Sequence, residues 1–166
     1  MDKVKVSDKL LLSVEKPARY TGGELNSIVK ETARLRFALC FPDVYEIGMS
    51  HLGSRILYEV INSREEYACE RCFAPWPDME KAMRENNVPM FTLETRTPLV
   101  ECDIVGFSLL YEMCYTNILT MLDLAHIHKR SADRGENEPI IVAGGGCACN
   151  PEPIADFMDA IMIGDG

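Results

Sequence analysis

Apolar positions along this chain fall into short runs that alternate with stretches of helical spacing. Leu35 to Phe41 is a run suited to a buried strand, and Leu52, Ile56, Leu57, Val60 and Ile61 then recur at helical spacing behind the N-cap candidate Ser50. A second strand is predicted near residues 70–74, ahead of Pro75-Trp76-Pro77, with a short helix from Asp78 to Asn86 after it. Met90 to Leu93 is the third strand candidate. Asp103 to Ser108 is a fourth, nearly apolar throughout, as expected where helices cover both faces of a parallel sheet. Met113 to Ala125 supplies its helix. Pro139 to Ala143 reads as a fifth strand ending at three glycines. Pro153 to Phe157 is a short helix, and Ala160 to Ile163 a sixth strand running into Gly164-Asp165-Gly166. Alternating strand and helix units predict a three-layer α/β sandwich with a mostly parallel sheet of about five to six strands.

Residues 1–32 carry breakers and little periodicity, so they are read as an N-terminal arm laid on one α/β domain spanning 33–166. A chain that stops just after a buried-looking strand suggests a fragment of a longer protein. Its 166 residues, 47% of them hydrophobic, suffice for a single core and are too few for two full domains.

The balance of 17 basic against 26 acidic residues, net charge -9, argues against binding to a phosphate backbone, so no direct nucleic-acid partner is expected. No run reaches the roughly 18–20 apolar residues of a membrane span, and Met1 to Val6 has no signal-peptide core. The seven cysteines are odd in number and scattered, which fits a reducing compartment. A cytoplasmic protein is expected.

The polar and glycine-rich loops all follow strands, at 41–48, 74–77, 108–112, 144–147 and 164–166. In a parallel sheet they share one rim, the place where open α/β sheets bind ligands. Gly144, Gly145 and Gly146 remove side chains where backbone meets a flat or anionic ligand, or a neighbouring helix. Ser108 and Glu112 add a hydroxyl and a carboxylate. The G-x-G-x-x-G dinucleotide fingerprint does not follow the first strand, and no lysine follows the fifth, which disfavours nicotinamide binding and a phospho-acceptor receiver.

Cys69 and Cys72 have C-x-x-C spacing, but on a strand they would face opposite ways and cannot share a zinc ion. Cys147 precedes a helix start, where a thiol can become reactive, although thiol catalysis also needs a base. His51 is read as capping or flanking the first helix. Trp76 suits packing against a neighbouring segment or stacking on a flat ligand.

Asp43-Val44-Tyr45-Glu46-Ile47-Gly48, Ser108-Leu109-Leu110 and Gly144-Gly145-Gly146 resemble the D-x-H-x-x-G, S-x-L and G-G signature of cobalamin-binding domains, with Tyr45 in the place of the histidine. Longer segments extend the likeness. These are residues 16–26 and 37–53, Ala74-Pro75-Trp76-Pro77-Asp78-Met79-Glu80, residues 93–99, Asn150-Pro151-Glu152-Pro153 and Ile163-Gly164-Asp165-Gly166. Together they resemble the cobalamin-domain-containing radical S-adenosylmethionine (SAM) proteins often labelled Fe-S oxidoreductases.

The resemblance implies a flavodoxin-like (Rossmann-like), cobalamin-binding-type domain that precedes a radical SAM barrel. It implies cofactor contacts at Asp43, Tyr45, Gly48, Ser108, Leu110, Gly144, Gly145 and Gly146. A phenol normally stays protonated near neutral pH, so cobalamin would bind without a lower histidine ligand. Glu65 stands where the first cysteine of a C-x-x-x-C-x-x-C motif would fall. The iron-sulfur cluster and S-adenosylmethionine therefore belong to the downstream barrel, the expected partner.

Three readings follow: a corrinoid-binding module, a cofactor-free scaffold packed on the barrel, and a thiol enzyme using Cys147 or Cys149. On the first two, this chain has no catalytic residue of its own.

Overall fold

The computed structural model describes residues 3–164. Five predicted strands take form as β1 (Leu35–Phe41), β2 (Tyr67–Phe73), β3 (Ile104–Ser108), β4 (Ile140–Gly144) and β5 (Ala160–Met162). All pair in parallel, in the order β2-β1-β3-β4-β5. This is the flavodoxin-like order, and it places the topological switch between β1 and β3. The predicted extension past Gly164 into Asp165 and Gly166 lies outside the described residues.

The third strand candidate, Met90 to Leu93, is not a strand. Phe91 makes one antiparallel bridge to Pro98, and the Thr92 and Leu93 amides donate to the carbonyls of Thr97 and Arg71. The segment is a buried hairpin-like loop, closed around the carboxylate of Glu70. That carboxylate accepts hydrogen bonds from Arg36, Thr92 and Thr95. Its apolar run comes from packing under the sheet rather than from pairing.

The register sorts the strand residues onto two faces. Ala38, Cys40, Cys72, Val105, Phe107 and Ile141 face the main core. Helices α4 (Pro77–Asn86) and α5 (Tyr115–Leu124) cover that face with Met79, Met83, Ile118 and Met121. The N-terminal segment, with its short helix α1 (Asp8–Leu11), adds Val4, Val6, Leu10 and Leu11.

The second face carries a smaller cluster of Leu39, Tyr58 and Cys69, flanked by Ile28, Phe37 and Ile61. It lies beneath α3 (Leu52–Asn62), which follows the short helix α2 (Tyr45–Ser50). Most of the apolar stripe on α3 faces outward. Ser54, Tyr58 and Asn62 are buried, while Leu52, Ile56 and Val60 are exposed at 66%, 53% and 59%. Asn62 explains part of the choice, because its amide exchanges two 3.0 Å hydrogen bonds with the backbone of Cys69 and anchors the helix to β2. Lys30 closes the end of α3 by donating to the carbonyls of Asn62, Arg64 and Tyr67. No helix among the described residues is long and apolar enough to cross a membrane.

Candidate functional site

The rim at the carboxyl ends of the strands joins the loops after β1, β3 and β4. The Leu109 amide donates to the Gly144 carbonyl at 2.7 Å, and the Cys147 amide donates to the Leu109 carbonyl at 3.0 Å. Gly145 sits between these two bonds at φ +118°. A Cβ there would lie 2.8 Å from the Leu109 oxygen. The glycine is thus required by the approach of two loops. Gly146 differs, since a Cβ on it would meet nothing within 4 Å. Gly144 pairs with Ser108 in the β3–β4 register, and both are half-buried.

Around this glycine turn the β3 loop projects apolar groups into solvent: Leu110 at 38%, Tyr111 at 42% and Met113 at 83% exposure. The Tyr111 hydroxyl donates to Asp43 Oδ2 at 2.6 Å, spanning the β1–β3 switch. That bond, aided by burial, pushes the Tyr111 phenol up to about 12. The other Asp43 oxygen accepts from the Val44 amide at 2.7 Å. Asp43, Ser108, Leu110 and the three glycines therefore share one rim. Tyr111, Met113 and their contacts were not singled out in the sequence as a site, although Tyr111 lies one residue beyond Leu110.

Tyr45 and Gly48 belong to the β2 side. The Tyr45 hydroxyl donates to Glu24 Oε1 at 3.2 Å, and its ring meets Phe73 edge-on at 5.5 Å between centroids. Burial, reinforced by Glu24, raises its pKa, so the phenol stays neutral and is a poor metal ligand. Gly48 is buried, and a Cβ would fall 2.3 Å from the Phe73 ring and 3.1 Å from that of Phe41. Its role is to let α2 lie on these two rings. His51 caps α3, its Nδ1 accepting from the Ser54 amide at 3.1 Å.

A buried charge cluster adjoins Tyr45, built from residues far apart in sequence. Arg71 Nε donates to Glu94 Oε1 at 2.6 Å, and the Arg71 amide donates to Glu94 Oε2 at 2.7 Å. Ser27 Oγ accepts from Arg71 Nη2 at 3.1 Å, Glu24 stands 3.8 Å away, and the guanidinium lies 4.5 Å over the Tyr58 ring. Burial raises the Glu94 pKa against the pull of Arg71. Arg71, Glu24 and Tyr58 of this cluster line a cavity of about 520 Å³ together with Leu25, Leu52, Ile56 and Phe73. One side of it is thus the exposed stripe of α3.

The cysteines divide by environment. Cys69 and Cys72 sit on opposite faces of the sheet, in separate clusters. The Cys147 thiol is pushed up by burial and by Glu112, the reverse of what a thiol nucleophile requires. Trp76 is exposed at 42%, with the Arg19 guanidinium 5.1 Å over its ring and its amide donating to the Tyr20 hydroxyl. It packs against residues of the N-terminal arm.

Among known families, the chain matches a family model described as radical SAM proteins, N-terminal, over residues 53–166. That span contains β2 to β5, the β3 loop and the glycine turn. No curated protein matches the chain.

Proposed function

Because this chain belongs to the family of N-terminal domains of radical SAM proteins, we propose that its strand-end rim holds a corrinoid whose cobalt takes no ligand from the domain. The observation that carries the reading is the open Gly146 beside exposed Leu110 and Met113, at the β1–β3 switch of a flavodoxin-like sheet. Ligands of such sheets lie at this crevice. A flat macrocycle needs backbone it can approach closely and apolar side chains to rest on. Gly146, Leu110 and Met113 supply both.

The fit is selective. A corrinoid requiring a histidine from the β1 loop does not suit these residues, since Tyr45 turns to Glu24 and His51 caps a helix. A corrinoid bound through its ring and side chains alone does. Ser108 and Asp43 are polar side chains on this rim that would hold its periphery. When bound, the corrinoid supplies cobalt-centred methyl transfer or assists another radical step. The radical SAM barrel, S-adenosylmethionine and the iron-sulfur cluster belong to the rest of the protein on this reading. Seven free cysteines support a reducing, cytoplasmic setting.

A second reading is favoured by the Tyr111–Asp43 bond and by the packing roles of Gly48 and Gly145. Each accounts for a signature residue without a cofactor, as in a scaffold domain covering the barrel mouth. Titration of the chain with hydroxocobalamin, followed by visible absorbance, separates the two. The corrinoid reading expects saturable binding that Gly146→Leu abolishes while the fold is kept. Absence of binding in both the chain and the complete protein would leave the scaffold reading.

A further inference from the structure

Among the described residues, one face of the sheet is only partly covered over β3, β4 and β5, where Gly106 is buried and Ile104 and Val142 are half-buried. On the face opposite the main core, α3 covers β1 and β2 through Tyr58, Ile61 and Asn62. The same face of β3, β4 and β5 presents Ile104, Gly106, Ile140, Val142 and Met162 by register. Ile140 and Met162 are exposed at 54% and 62%. At Gly106 the space a side chain would fill is taken by the Phe37 ring, which extends the apolar surface from β1 onto β3. All-parallel sheets have both faces covered, normally by helices, because their strands are apolar on both sides. The strands here meet that description and the covering does not.

We propose that this face receives an amphipathic α-helix from the part of the radical SAM protein that follows the domain. Three strands at about 4.8 Å spacing span roughly 10 Å, the diameter of one helix with its side chains. A helix laid there beside α3 at the usual interaxial distance of about 8–10 Å would also cover Leu57, which is exposed at 41%. Leu57 is one turn before Ile61, which, like Phe37, packs against the Leu39, Tyr58 and Cys69 cluster. The match to an N-terminal family means that polypeptide follows the domain in such proteins, and it starts from β5, the strand that carries Met162. Tethering of that kind gives a high effective concentration. A second copy of this chain is the poorer occupant, because two bodies of net charge -9 would be brought face to face. The inference rests on the family and the sheet, and is independent of whether a corrinoid occupies the rim.

The test uses the complete protein without substitution. Hydrogen peroxide oxidises accessible methionine to the sulfoxide, which peptide mass spectrometry quantifies. The proposal expects Met162 to oxidise roughly tenfold or more slowly in the native protein than in urea, independent of protein concentration. Oxidation at the unfolded rate would overturn it, and so would protection lost on dilution, the mark of a second copy. Ile140→Cys with a short heterobifunctional cross-linker identifies the cover. A link within the same chain to a helical peptide following residue 166 supports the proposal. A link to another chain, or to residues preceding 140, overturns it.

Discussion

Placing alanine at Gly145 should destabilise the domain, whereas the same change at Gly146 should not. The first site lies at φ +118° and ψ -173°, a region essentially restricted to glycine, and holding another residue there costs about 1–3 kcal/mol. The added Cβ would also stand 2.8 Å from the Leu109 oxygen and 3.2 Å from its nitrogen, the two atoms that tie the β3 and β4 loops. Loosening either tie forfeits about 1 kcal/mol. The sum is roughly 2–4 kcal/mol, which corresponds to a fall of about 5–15 °C in Tm for a domain of this size. At Gly146 a Cβ enters open space and the change should stay within about 0.5 kcal/mol. Thermal unfolding of both variants by circular dichroism measures the difference. Equal Tm values, or a Gly145→Ala variant as stable as the parent, would refute the assignment of Gly145 to loop closure.

Glu70→Ala should cost about 3–5 kcal/mol in urea unfolding, because it strands the Arg36 guanidinium in the core, and Arg36→Met in the same chain should recover part of the loss. A neutral Glu70→Ala would contradict the account of the 90–98 loop. Tyr111 should ionise near 12, and Asp43→Asn should return it toward about 10, read as the tyrosinate absorbance missing from Tyr111→Phe. Since folding raises this pKa, the stabilisation is whole below about pH 10 and is lost as pH rises through about 12, so titration of the native Tyr111 near 10 would be inconsistent. In native protein at pH 7, Cys149 should alkylate first and Cys147 more slowly, with the five buried cysteines reacting only on unfolding. A Cys147 faster than a peptide thiol would revive the thiol-enzyme reading.

The strands were legible because buried parallel strands are continuous apolar runs, and β1, β3 and β4 stand almost where the runs do. Met90 to Leu93 looks the same in sequence, yet forms only an isolated bridge to Pro98 and no strand of the sheet. Its burial comes from wrapping Glu70, a side chain 20 residues earlier than Met90. The stripe on α3 marks a helix, as its spacing predicts, and most of it faces outward. Periodicity reports which residues share a face, not which face the fold covers, and Asn62 and Tyr58 decided that through partners on β2 and at Ile28. Of the signature residues, Asp43, Ser108, Leu110 and the glycines reach one rim because each ends or follows a strand. Tyr45 and Gly48 are carried to the β2 side by the first turns of α2. The Arg71–Glu94–Glu24 cluster was invisible, since three charges from separate segments carry no local spacing.

Retention of a corrinoid by the complete radical SAM protein tests the functional account most directly. The protein is loaded with hydroxocobalamin, gel-filtered and quantified by visible absorbance. The account predicts one corrinoid per chain, with a spectrum lacking a protein ligand to cobalt, and its loss in Gly146→Leu at unchanged Tm. A folded parent protein that retains none, or retains it equally in the variant, would contradict the assignment of the rim.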